Sequence, residues 1–351
     1  MKDAFQKSFL LILVAMLCLS SLVLNAQAEN WSWTKVANNT NLQSVDMINS
    51  TDGWAVGFEG TIIHWDGTRW NNMDSPTTAN LRAVDMINPD EGWAIAGDIG
   101  GWGNNNSIIK WDGTNWQNLS EPISLEALHM ISSTDGWAVG PAGITLHWDG
   151  TNWTSVETPN NAPLEAVDFV NSNDGWAVGR RAQYSGINYM LHWNGTGWNA
   201  LESPKNVGTR TLWAVDMVSS SDAWAVGDSG IILRWNGVSW NNVTSPIPVN
   251  KHLFSVDMVN STDGWAVGSD GIIIHWDGTS WSNVASPTGA WLSCVDMVGS
   301  TDGWVVGADG VYRWREVAGF PVEYLIVIGV VVVVVIAWFW VRSRIVLART
   351  E

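Results

Sequence analysis

The sequence predicts an all-β fold, a seven-bladed β-propeller of four-stranded blades, followed by one C-terminal transmembrane helix. Three observations lead there. A phrase recurs at a period of about forty residues. Every segment within the phrase is short and either β-branched or aromatic. The last copy lacks a segment that the chain supplies near its start. Residues 263–278 read DGWAVGSDGIIIHWDG, and residues 52–67 read DGWAVGFEGTIIHWDG.

The tryptophan of the GWA-type run falls at Trp54, Trp93, Trp137, Trp176, Trp224, Trp265 and Trp304, spaced 39 to 48 residues apart. Each copy holds an L-x-x-V-D-M-like run, a D-G-W-A-V-G-like run and a run ending in tryptophan. All but the last add a D-G-T-x-W-like segment. Runs that end at Gly, Asp or Asn read as strands joined by tight turns, and four per repeat describe a propeller blade. The fourth strand is marked by Trp70, Trp116, Trp153, Trp198, Trp240 and Trp281, whereas the seventh copy stops at GVYRWREV. Near the N-terminus WSWTKV aligns Trp33 with Trp281. Residues 31–36 are therefore expected to form the outermost strand of the last blade, so that no sheet edge is left open where the ring closes.

A blade lies between two others and needs apolar side chains on both faces. Of 27 tryptophans, 21 occupy three repeat positions, typified by Trp54, Trp65 and Trp70. Their large rings suit the wide outer gap between blades. Near the axis, where blades crowd, small residues share one register: Ser44, Ala83, Ala127, Ala166, Ala214, Ser255 and Cys294. Cys294 reads as a filler there and not as a nucleophile. Two positions further on stand Asp46, Asp85, Asp168, Asp216, Asp257 and Asp296, with His129 in the third copy. Six acids around an axis suggest a cation site. A residue repeated with the fold more simply serves the fold, so each is expected to accept hydrogen bonds from a neighbouring hairpin or indole. The aspartates before GWA, such as Asp52 and Asp263, and those of W-D-G-T are expected to form turns.

Both ends carry membrane signals. Residues 1–28 have a basic start, an apolar run and an A-x-A exit, the layout of a cleaved signal peptide, with an uncleaved anchor as the alternative. The propeller ectodomain is expected over residues 29–316, a linker over 317–323, a transmembrane helix over 324–341 and a cytoplasmic tail over 342–351. Tyr324, Trp338 and Trp340 sit where interfacial aromatics belong, and Arg342 and Arg344 put the tail inside and the propeller outside the cell. The stretch GFPVEYLIVIG resembles the proline-then-anchor C-termini of archaeal surface proteins. Nine N-x-S/T sequons, at Asn30, Asn38, Asn49, Asn105, Asn118, Asn152, Asn194, Asn242 and Asn260, make a glycoprotein conceivable in that setting.

Charge and composition exclude several classes. The chain has 34 acids and 17 bases. Between residues 29 and 321 the numbers are 31 and 12, a net charge that repels nucleic acid and anionic lipid. Two cysteines allow neither a disulfide framework nor a cysteine zinc site. There is no metal-spaced histidine set, serine elbow or phosphate-cradling glycine loop, so no cofactor or metal is expected.

The L-x-x-V, G-W-x-V-G and D-G-x-x-W strands over residues 31–316 resemble the Asp-box (BNR-like) β-propeller superfamily. Within it they are most similar to the photosystem II stability and assembly factor group. The resemblance implies the fold; the superfamily includes sialidases, assembly factors and plain binding modules. The family turn S-x-D-x-G-x-x-W is here HWDGTRW at 64–70. It keeps Asp66, Gly67 and Trp70 but sets His, Lys or Arg where the serine belongs. A photosystem role does not carry over to a chain with its own anchor and an acidic ectodomain. A sialidase would need three arginines converging on the axis, and only Arg82 lies at the mouth end of an inner strand.

Function in a repeat protein is sought where the copies differ. The interval from GWA tryptophan to third-strand tryptophan is 11 in most copies, 18 in the second and 17 in the fourth. The longest loops between blades are ESPKNVGTRTLW and TSPIPVNKHLF. Both loop types emerge at the same end of a four-stranded blade. They gather Trp102, Arg180, Arg181, Tyr184, Tyr189, Lys205, Arg210, Trp213, Lys251, His252 and Phe254, aromatics interleaved with bases. The leading expectation is a membrane-anchored, non-catalytic scaffold that binds a protein or glycan through this face, directed away from the membrane. A glycan-acting hydrolase or lyase and a structural envelope component or assembly factor are the alternatives.

Overall fold

The computed structural model describes residues 31–38, 41–97, 106–119, 123–180, 189–204 and 207–316. The expected signal peptide, linker, transmembrane helix and tail lie outside the described residues. Among the described residues no helix is long and apolar enough to cross a membrane.

Seven antiparallel sheets of four strands each form the propeller. The first blade runs outward from the axis as Leu42–Asn49, Asp52–Gly57, Ile62–Trp65 and Trp70–Asn72. Five more blades repeat this order. The last takes Leu292–Gly299, Asp302–Gly307 and Val311–Glu316 from the end of the chain and Trp31–Ala37 from its beginning. The predicted closure is thus observed. Thr34 Oγ1 donates to the carbonyl of Arg313 at 3.4 Å, and the Trp33 ring lies 5.6 Å from that of Trp314.

The cores lie between blades. One cluster joins Trp54, Val56 and Ile62 of the first blade to Leu81, Val84, Met86, Ile109, Trp111 and Trp116 of the second. The second-strand tryptophan of each blade is clasped by the third- and fourth-strand tryptophans of the next. Trp54 meets Trp111 and Trp116 at 4.7 and 5.5 Å, and Trp224 meets Trp276 and Trp281 at 4.9 and 5.5 Å. Trp265 meets Trp314 and Trp33 at 4.7 and 5.4 Å, so the N-terminal strand reproduces the repeat geometry in full. At the glycine of GWA the backbone packs against a methionine, and a Cβ on Gly53 would stand 2.3 Å from the flexible Met47 Sδ. The fifth blade accommodates Ala223 at the same position opposite Met217.

Candidate functional site

Most polar chemistry in the propeller belongs to its repeat. Each axial aspartate accepts a hydrogen bond from a backbone amide on the innermost strand of the following blade. Met86 donates to Asp46 at 2.5 Å, Met130 to Asp85 at 2.9 Å, Met217 to Asp168 at 2.6 Å and Met258 to Asp216 at 3.0 Å. Met297 donates to Asp257 and Met47 to Asp296, both at 2.6 Å. The ring is therefore a set of latches between blades, with the backbone amide as donor. Burial and the neighbouring Asp85 push Asp46 up to about 8, and burial followed by Asp168 pushes Asp257 to about 7. Burial and like charges also drive Asp216 and Asp296 well above the usual carboxylate range. His129 offsets this crowding, with Nδ1 3.0 Å from Asp168 and 3.8 Å from Asp85. Burial opposes its charge, yet these carboxylates raise it to about 9. Among the described residues no group of three or more His, Cys, Asp or Glu side chains is arranged to hold a metal ion. The Cys294 thiol is raised to about 11 by burial, so it stays protonated and inert, as a filler should.

The expectation for the acids before GWA needs correction. Each of the seven is bonded to the His, Lys or Arg of the third strand, as an ion pair where that partner is Lys or Arg. The pairs are His64–Asp52, Lys110–Glu91 and His147–Asp135 at 2.8 Å, and His192–Asp174 at 2.7 Å. Arg234–Asp222 at 2.8 Å, with His275–Asp263 and Arg313–Asp302 at 2.7 Å, complete the set. The base also covers the GWA indole: His64 lies 4.4 Å from Trp54, Lys110 4.4 Å from Trp93 and Arg313 4.7 Å from Trp304. His, Lys or Arg at this third-strand position thus builds a carboxylate–base–indole stack in every blade. The W-D-G-T aspartates do form turns: Asp66 accepts from the amides of Thr68 and Arg69, and Gly67 takes φ of 88°.

One ring does not repeat. The residue after the leucine of each L-x-x-V-like run is Gln43, Arg82, Glu126, Glu165, Trp213, Phe254 and Ser293 in turn, within the innermost strand except in the third blade, where the strand starts at Ala127. These positions encircle the axis at the end where second-to-third-strand loops meet the loops between blades. Backbone bonds join the two loop types there, Asp228 to Thr211 at 2.9 Å and Ser269 to His252 at 3.0 Å. The mouth has two sectors. Over the second to fourth blades, Arg82 pairs with Glu126 and Arg180 with Glu165. Burial raises both glutamates against the pull of the arginines, and Glu126 adds to the rise at Glu165. Over the fifth to seventh blades the lining is aromatic. Trp213 and Phe254 meet edge to face at 6.3 Å, Phe254 lies 6.1 Å from Trp291, and His252 stacks on Phe254 at 6.3 Å. Arg180 bridges the sectors, its guanidinium 5.3 Å from the Trp213 ring.

Asp228 organises the aromatic sector, accepting from Trp213 Nε1 at 2.8 Å and the Thr211 amide at 3.1 Å, with His252 Nδ1 at 2.9 Å. Partial burial opposes ionisation, but these bonds hold its carboxyl below the usual range. Lys251 pairs with Asp270 on the same rim.

Of the residues expected on this face, Arg180, Trp213, Lys251, His252 and Phe254 are brought together around the mouth. Arg210 lies in the loop leading to it, its amide bonded to the Val207 carbonyl at 3.2 Å. Tyr189 begins the third strand of the fourth blade, Tyr189–Trp193. Trp102, Arg181, Tyr184 and Lys205 lie outside the described residues. Sequence reasoning missed Glu126, Glu165, Asp228 and Trp291. The signal that finds the first two is the one variable column in an otherwise repeated strand.

No family model matches the chain, and no curated protein does. Among solved structures, YCF48 from Cyanidioschyzon merolae is similar at 17% identity and a TM-score of 0.64, over 81% of this chain and 99% of that one. A second structure, YCF48 bound to D1 peptide, is 15% identical with a TM-score of 0.64, covering 83% of this chain and 96% of that one. The WD40 propeller domain of Doa1 has a TM-score of 0.64 at 12% identity, over 81% of this chain and 96% of its own. These likenesses establish the propeller fold.

Proposed function

We propose that the chain is a non-catalytic scaffold that binds a polypeptide partner at the propeller mouth, held at a membrane by residues 324–341 with the propeller outside the cell. The observation that carries this reading is the non-repeating ring. Elsewhere the seven blades largely repeat the same polar and aromatic contacts, whereas at the mouth one position carries six residue types over seven blades. A preformed rim of paired charges next to exposed aromatics is the composition of a binding hot spot. A structural neighbour, YCF48 bound to D1 peptide, supports a peptide as the kind of ligand a propeller of this shape accepts. Chain direction supports the orientation: the last strand, Val311–Glu316, runs away from the mouth.

The test is site-specific photo-crosslinking from position 293, on the variable ring, of the full-length chain in its native host. A partner should be captured there and lost with Trp213→Ala or Phe254→Ala, while Val298→Ser at the opposite end leaves capture intact. Capture that ignores both aromatic substitutions removes the mouth as the binding site.

A further inference from the structure

We infer that the aromatic sector of the mouth receives a basic polypeptide segment, seating an arginine or lysine side chain against Trp291 and Phe254. This rests on the mouth being the binding site and goes on to name the chemistry of what enters it.

The molecule already contains the arrangement. Arg180 lies over Trp213 while pairing with Glu165, a cation held between an indole and a carboxylate. The same triad recurs inside the blades, where Arg234 covers Trp224 at 4.8 Å and pairs with Asp222. At the mouth the aromatic row continues past Trp213 through Phe254 to Trp291, which is 63% exposed. An indole this open at the end of an aromatic row offers its face to a ligand.

Charge selects the ligand's sign. Eight lysines and arginines of the propeller are already ion-paired: Lys35, Arg69, Arg82, Lys110, Arg180, Arg234, Lys251 and Arg313. Against them stands the acid excess of the chain, formally net −17, which stays negative when the raised axial aspartates Asp46, Asp85, Asp216, Asp257 and Asp296 are counted as neutral. Within the aromatic sector Asp228 is held ionised, and its oxygens are occupied by Trp213, Thr211 and His252. An occupied carboxylate has little capacity for sugar hydroxyls, yet its charge still attracts a cation beside it. A basic segment is drawn in by the field of the whole propeller and fixed by the rings, whereas an acidic one is repelled before contact.

The experiment is fluorescence anisotropy of the full-length chain with labelled nona-arginine, nona-lysine, nona-glutamate and a Gly-Ser peptide of equal length. The expected result is binding of the two basic peptides, arginine the tighter, with no binding of the other two. Trp291→Ala should weaken nona-arginine by about ten-fold without lowering the melting temperature, because the ring is exposed. Phe254→Leu, which keeps the apolar volume, should weaken it by a smaller factor. Basic peptides that bind equally to wild type and Trp291→Ala are held by charge alone, and that overturns the inference; so does the absence of any basic-peptide binding. Trp291-dependent binding of nona-glutamate, or of glycans on an array, also overturns it while leaving the mouth as the site. Failure of the crosslinking test at position 293 would instead remove the mouth itself.

Discussion

Asp257 shows how much a single side chain can hold in a ring fold. Its carboxylate accepts the Met297 amide at 2.6 Å and so ties the sixth blade to the seventh beside the axis. Asp257→Ala leaves that amide without an acceptor and is expected to cost about 1–3 kcal/mol in urea unfolding, whereas Asp257→Asn keeps an acceptor and should cost much less. The charge on the ring makes a second prediction. Asp46 and Asp257 rise from 3.8 to about 8 and about 7 on folding, through burial and neighbouring acids. The folded ring thus binds protons that the unfolded chain releases, so stability falls as pH rises from about 4 to about 8. His129, raised from 6.5 to about 9, contributes stability below pH 6.5 that is lost as pH passes 9, which has the same sign. Thermal melts should therefore drop by several degrees between pH 5 and pH 9. Replacing the cation with a seventh acid, His129→Asp, should lower the melting temperature most at pH 8 and least at pH 5. A flat profile in both proteins would mean the ring is solvated and not crowded.

At the scale of strands, the closing contact is the one to remove. Trp33 is 3% exposed and, with Trp314, clasps Trp265 as Trp281 and Trp276 clasp Trp224. Trp33→Ala should cost about 3–5 kcal/mol on unfolding, the usual penalty for emptying a large aromatic site. Deleting residues 31–37 should go further, baring the Val311–Glu316 edge and producing dimers or aggregates on size-exclusion chromatography. Blades and closure were legible because strand periodicity and one missing segment constrain connectivity directly. The carboxylate–base–indole stack was not. Its base changes among His64, Lys110 and Arg234, and its acid, Asp52 or Asp222, occupies a position where turn formation already explains it. Only the fold shows that residues 12 apart, such as His64 and Asp52, face each other across a hairpin. At the mouth, loop length pointed to Trp213, His252 and Phe254. Glu165 lies in a strand of ordinary length, Glu126 just before one and Trp291 in a loop without an insertion, so a search for insertions passes over them.

For the whole molecule, the two ends of the propeller are unequal, and six sequons of the described residues lie away from the mouth, whereas the exposed Asn38 follows Trp31–Ala37 at the mouth end. Asn49 and Asn260 end innermost strands at the end opposite the mouth, Asn152 and Asn194 sit in turns at that same end, and Asn118 and Asn242 lie on outermost strands. All six are exposed. A glycan is bulky and hydrated, so at any of these positions it shields the rim or the far end and leaves the mouth open. The loop between the fifth and sixth blades differs: Val249 is 76% exposed there, next to Asn250 and Lys251. Val249→Asn with Lys251→Thr creates a sequon at the mouth. Expressed in a host that glycosylates secreted proteins, this variant should lose capture of the partner crosslinked from position 293. Enzymatic removal of glycans should restore capture, and Val249→Gln with Lys251→Thr should retain it throughout. Glycans at the six native positions should leave capture unchanged whether present or removed. If the mouth glycan is tolerated while those at Asn49 or Asn260 interfere, the partner approaches from the other end, and the variable ring serves only to seal the channel.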